Sequence, residues 1–145
     1  MKNALATAAA TILLVTATPA MAGFSTYTTT TANAVMTGTP DMGGAMSTGT
    51  SRVTMPDGSQ YDESWTCIGS TNPPNAKVFD SHTVCDVTSP RGTYSVNFGC
   101  QRLEGEMQGC VGGLYGRTGA YAGKSGATTW AGGQTTGSGT SHWLD

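Results

Sequence analysis

The run Thr93-Tyr94-Ser95-Val96-Asn97-Phe98-Gly99-Cys100 alternates without a break. Tyr94, Val96, Phe98 and Cys100 fall on one side, and Thr93, Ser95, Asn97 and Gly99 on the other. Successive side chains of an extended chain point to opposite faces, so this is a strand with one buried and one wet face. The stretch Gln60 to Ile68 reads the same way, with Tyr61, Trp65 and Cys67 opposite Asp62, Ser64 and Thr66. Glu63 takes the parity of the aromatics and is expected to point inward. A carboxylate there is costly unless hydrogen-bonded, which makes Glu63 the candidate acid–base or ligand group. A bulge that turns it out to solvent, or an end-of-strand position near solvent, is the plainer alternative.

Outward from these two strands, turn signals recur at short intervals. Pro56-Asp57-Gly58 separates Ser51–Met55 from Gln60–Ile68, and Ser89-Pro90-Arg91-Gly92 separates Lys77–Val87 from Thr93–Cys100. Asn72-Pro73-Pro74-Asn75 breaks the chain between them. Further strands are expected at Met107–Val111, Ala127–Trp130 and Gly139–Leu144, and no window carries a capped helical period. The fold class is therefore all-β: a small antiparallel barrel of the lipocalin-like kind, with a β-sandwich as the alternative. The inward parity nominates Tyr61, Trp65, Tyr94 and Phe98 as cavity or ligand candidates, and the aromatic Trp130 is added to them.

The N-terminus reads as an export leader. Lys2 supplies a positive end, Ala4 to Val15 is almost wholly apolar, and Ala20-Met21-Ala22 fits a signal-peptidase site. Cleavage there leaves 123 of the 145 residues, with six basic against nine acidic side chains. Residues 1–22 are thus a signal peptide and 48–145 a disulfide-stapled barrel. The Thr-, Gly- and Met-rich segment 23–47 is either a first strand or a mobile arm. The apolar stretch is too short to stay as a membrane helix, and the brief, Ala-rich leader points to a bacterial protein of the periplasm or the medium. The acidic balance gives no footprint for nucleic acid.

Export favours disulfides for Cys67, Cys85, Cys100 and Cys110. Four cysteines allow three connectivities, and the expectation is the sequential one, Cys67–Cys85 and Cys100–Cys110, each bracketing a short turn-containing segment. No close Cys or His pair suits zinc, so no metal is expected. Neither a Ser–His pair in a nucleophile-elbow context nor a cofactor motif is present. Glu104 and Glu106 read as a solvated loop, although either could be imagined as the second acid of a glycosidase pair with Glu63.

The Gly run from Gly112 to Gly126 invites comparison with a phosphate loop, but the glycine required five residues before Gly123 is Thr118. Gly112, Gly113, Gly116, Gly119, Gly123 and Gly126 read as turns and close backbone crossings instead, with Tyr121 and Trp130 expected to cover one end of the core. This run, continuing through Thr118-Gly119-Ala120-Tyr121-Ala122-Gly123 to Trp130, resembles a segment of small barrels related to allene oxide cyclase and dirigent proteins. It also resembles small exported bacterial proteins of uncharacterised role. The resemblance covers about residues 108–143 and implies an eight-stranded barrel with a central cavity; it places no cyclase catalytic residue on this chain. The functional expectation is a non-catalytic exported barrel that binds a small apolar ligand or a surface partner. The alternatives are a cofactor-free cyclase or isomerase using Glu63, and a structural or adhesive protein.

Overall fold

A computed structural model of the protein describes residues 23–39, 41–72 and 78–144; the leader expected at 1–22 lies outside them, as does the chain break beyond Asn72. Eight antiparallel strands close into a barrel in simple sequence order, the last pairing with the first. They are β1 (Ser25–Thr39), β2 (Met42–Thr54), β3 (Gln60–Thr71), β4 (Ser81–Ser89), β5 (Gly92–Arg102), β6 (Gln108–Gly116), β7 (Ser125–Gly132) and β8 (Thr136–Leu144). The sandwich alternative is excluded by the β1–β8 ladder, in which Ser25 pairs with Ser141 and Thr30 with Thr136.

Residues 23–47, left open as strand or arm, build the first hairpin. The expected strand at Met107–Val111 runs on to Gly116, and that at Gly139–Leu144 begins at Thr136. The fourth strand starts at Ser81, four residues later than the sequence pattern suggested at Lys77, which lies outside the described residues. Both turns form as read. Gly58 takes φ +83°, and Asp57 Oδ1 accepts the Ser59 N–H at 2.9 Å. The Ser89 hydroxyl accepts the Arg91 N–H at 3.1 Å.

Even-numbered positions of β5 and odd-numbered positions of β3 and β4 face inward, so Val87, Tyr94, Val96, Leu114, Tyr121 and the Cys67–Cys85 pair share one core, and Cys100 and Cys110 are buried outside that cluster. Cys67 stands directly opposite Cys85 in the β3–β4 ladder, and Cys100 opposite Cys110 in β5–β6. The sequential disulfides are formed, each tying neighbouring strands from within.

A small barrel must fill a narrow lumen, and this one alternates rings with glycines. A methyl group added at Gly49 would meet the Trp65 ring, one at Gly112 the Phe98 ring, and one at Gly137 or Gly132 the Trp130 indole. Tyr27 lies over Gly139 in the same way. Each large residue thus occupies the space that a glycine on a neighbouring strand vacates.

The turns join strands at two ends. One end carries the turns after β2, β4 and β6; the other carries those after β1, β3, β5 and β7. Tyr121, in a single 3-10 turn, closes the first end, whereas Trp130 sits toward the second. The expectation that they cover the same end is corrected by strand direction. Of the six glycines singled out in the sequence, Gly112, Gly116, Gly119 and Gly126 sit where a side chain would strike a neighbour, and Gly123 has φ +74°. Gly113 needs no such explanation: a methyl group there would make only ordinary contact.

Gly119 and Gly123 separate two effects. Both have positive φ, but a methyl group at Gly119 would also collide with the Arg91 carbonyl, while Gly123 faces open space. Gly123→Ala should cost about 1 kcal/mol from backbone strain alone. Gly119→Ala should cost clearly more. Thermal melts of the two variants check the ordering.

Candidate functional site

Glu63 enters the barrel because β3 keeps strict alternation from Tyr61 to Cys67, with no bulge in its ladder against β2. Only 6% of its surface is exposed. Its carboxylate is met from β5 by Tyr94, whose hydroxyl lies 2.9 Å from each of the two oxygens. Burial pushes the Glu63 carboxyl up to about 7, and the Tyr94 hydrogen bond restrains the rise. Burial, the Glu63 charge and that same hydrogen bond drive the Tyr94 phenol far above its usual value. The phenol therefore stays protonated and serves as a donor.

Above this pair lies an aromatic plug. The hydroxyls of Tyr61 and Tyr121 are 2.8 Å apart. The Tyr121 ring stacks on Trp143 at 4.7 Å, and the Tyr94 ring meets both edge-on at 5.0 and 5.3 Å. The Arg91 guanidinium lies 5.9 Å from the Tyr61 ring centre and 5.8 Å from that of Tyr121, so a cation caps the aromatic faces from the turn. Burial, with the Tyr121 hydrogen bond, also raises the Tyr61 phenol. Further along the lumen Tyr27 is held at about 12 by burial, its hydroxyl donating to the Thr129 carbonyl at 2.7 Å.

The five ring positions nominated from sequence, Tyr61, Trp65, Tyr94, Phe98 and Trp130, all face inward, and their rings occupy the lumen. Trp130 Nε1 donates to Thr29 Oγ1 at 3.1 Å. The Trp65 indole N–H is buried and has no hydrogen-bond partner among the described residues. The sequence reading missed Tyr27 and Trp143, and named Tyr121 as a cover for one end of the core but not as a member of this site. Tyr121 lies outside any strand, and Tyr27 sits in a threonine tract where neither face looks apolar.

Chemically, Glu63 is an acid poised near neutrality and sealed between a phenol and a ring plug. The second carboxylate of a hydrolytic pair is not brought to it. Glu104 and Glu106 are exposed in a 3-10 turn between β5 and β6, at the end opposite the one Glu63 approaches. Among the described residues no cluster of three His, Cys, Asp or Glu side chains could hold a metal ion.

The outer wall differs in kind. Thr26, Thr28 and Thr30 of β1 stand beside Thr140, Ser138 and Thr136 of β8. An open depression of about 510 Å³ near Met107 and Ala131 is bounded by residues of this face and by the inward-facing Thr29 and Gly137. On the opposite side of the wall an apolar row crosses the ladders in direct register: Val35 beside Met46, Met46 beside Ile68, Ile68 beside Val84. These four are 59, 48, 65 and 53% exposed. A one-residue shift between Thr31 and Asn33 in β1 puts Val35 on this face. Without it Val35 would fall opposite Ala45, on the other face of the sheet.

Comparison with protein-family models, curated proteins and solved structures finds no match. The chemistry of this chain is read from its geometry. It offers a lumen occupied by its own rings and an outer wall with a hydroxyl-rich side and an apolar one.

Proposed function

We propose that this chain is an exported, non-catalytic β-barrel that engages a macromolecular partner through its outer wall. The observation that carries the reading is the lumen. Trp65, Phe98, Trp130 and Tyr27 rest against glycines of neighbouring strands, and both Glu63 oxygens are held by Tyr94 beneath the Tyr61–Tyr121 plug. A binding barrel of this size keeps its centre open for ligand; here the protein's own side chains occupy that position. The exported setting is supported by the leader-like N-terminus and by two disulfides, which persist in oxidising compartments. The allene oxide cyclase and dirigent resemblance bears on architecture alone.

The outer wall lacks the continuous apolar band of a lipid-facing barrel. It carries hydroxyls and the ion pairs Arg52–Asp62, at 2.6 Å, and Arg117–Asp86, at 3.2 Å. Of the large apolar side chains exposed among the described residues, four, Val35, Met46, Ile68 and Val84, stand in one contiguous row, the arrangement of a contact surface.

A small ligand inside the barrel is the second reading, favoured by one observation: the buried Trp65 N–H, without a hydrogen-bond partner among the described residues, lies two positions along β3 from Glu63. Native mass spectrometry of protein purified from its own host separates the two. The expected spectrum shows the chain alone or bound to another protein chain. A small-molecule adduct that Trp65→Phe or Glu63→Gln abolishes would overturn the outer-wall reading.

A further inference from the structure

The first hairpin outgrows the barrel. On one side β1 pairs with β8 only as far as Thr30, with one further hydrogen bond from the Thr31 N–H to the Thr135 carbonyl at 2.8 Å. On its other side β1 pairs with β2 all the way to Thr39 opposite Met42. Next to it β2 is tied to β3 up to Gly44 opposite Ser70, and the Thr71 hydroxyl then bonds both the N–H and the carbonyl of Gly43. A sheet therefore extends past the barrel rim with residues 32–39 of β1 as its edge. Among the described residues nothing pairs with that edge. Alternate N–H and C=O groups of an antiparallel edge strand point away from its one partner, and a strand is what satisfies such a row.

Sequence and charge favour one occupant. Natural edges are blunted by charged side chains, Pro or shortness. Residues 23–39 contain no Asp, Glu, Lys, Arg or Pro, and residues 42–51 contain none either. Asp41 at the tip is paired with Arg102 at 3.3 Å. An acidic chain can thus approach a second copy here without opposing like charges. An antiparallel edge is also self-complementary about a two-fold axis normal to the sheet, because each residue i meets its symmetry counterpart on the same face. With the axis at Val35, the apolar row Val84–Ile68–Met46–Val35 continues into Val35–Met46–Ile68–Val84 of the second copy. The shift at Thr31/Asn33, which places Val35 on the row's face, is what makes the row continuous up to the joint.

We infer that two copies of this chain associate by antiparallel pairing of their β1 edges over residues 32–39, joining the two apolar rows into one. The inference rests on the outer-wall reading and names its partner as a second copy.

The test uses the mature exported protein. Sedimentation velocity at rising concentration is expected to show a shift to twice the chain mass. Amide hydrogen exchange should slow at alternate residues of 32–39 over the same range. Val35→Lys should leave the protein at the mass of one chain, with the melting temperature of wild-type protein diluted to that same mass. An equimolar mixture of Val35→Lys and Val35→Glu should regain the doubled mass, since opposite charges then face each other across the axis. A wild-type protein that stays single at every concentration overturns the inference. So does a dimer that survives Val35→Lys and dissociates only on Ile68→Lys, which would place the contact on the wall and not the edge. Either result leaves the outer-wall reading standing, because that reading fails only on the small-molecule adduct described above.

Discussion

Raising the pH from about 4.5 to about 7 should weaken the fold by on the order of 3 kcal/mol, and Glu63→Gln should abolish most of that slope. The carboxyl titrates at about 7 in the folded barrel, against 4.5 for an ordinary glutamate. Between those values the folded state holds a proton that the unfolded chain has released. Stability is therefore fully present below pH 4.5 and falls as pH rises through the folded value, by about 1.4 kcal/mol per unit. Asp57 moves the other way, since its bonds to Ser59 lower its carboxyl from 3.8; its effect lies below this window. The amide that Glu63→Gln introduces is neutral at every pH and can still accept the Tyr94 hydroxyl. That variant should therefore be more stable than wild type near pH 8 and similar near pH 4. Tyr94→Phe removes the bond that favours the ionised form, and should move the window to higher pH. Urea midpoints measured across pH 4 to 8 for the three proteins decide it. A flat wild-type profile would mean that Glu63 is solvated and outward, as the bulge alternative holds.

That outcome depends on a side chain whose direction was legible in the sequence, and the reason is instructive. Tyr61, Trp65 and Cys67 share one parity against Asp62, Ser64 and Thr66, so parity alone sends Glu63 inward. The same parity located Tyr94 and Phe98, and the even cysteine count behind a leader-like N-terminus gave the two staples. Elsewhere the period-2 signal is silent. In β1 the inward Thr29 and the outward Thr28 and Thr30 are the same residue type, so polarity does not alternate although the strand does. The packing role of Gly132, Gly137 and Gly139 has no local signal, because it depends on the Trp130 and Tyr27 rings that fill their space. The one-residue shift in β1 has no composition signature at all. Contacts that depend on which strand lies next door are the part that a linear reading does not reach.

Cross-strand neighbours also decide how much the disulfides matter, and removing either should be the second large effect. Cys67–Cys85 closes a separation of 18 residues and Cys100–Cys110 one of 10. Restricting the unfolded chain over loops of that size is worth about 3 kcal/mol each. The whole stability of a domain this small is typically only about 5–15 kcal/mol. Cys67→Ala/Cys85→Ala and Cys100→Ala/Cys110→Ala should each lower the melting temperature sharply, and the fourfold variant should be marginal or unfolded. The sulfurs lie in the lumen, with Cys100 only 2% exposed, so reductant should act slowly on the folded protein. It should act fast once urea opens the barrel. Free-thiol labelling with time, with and without urea, follows this directly. Rapid labelling of the native protein would show that the strands around the staples open locally, and would undercut the picture of a closed, ring-filled barrel. A fourfold variant as stable as wild type would show that the packing of Trp65, Phe98, Trp130 and Tyr27 against the glycines suffices to hold the barrel shut.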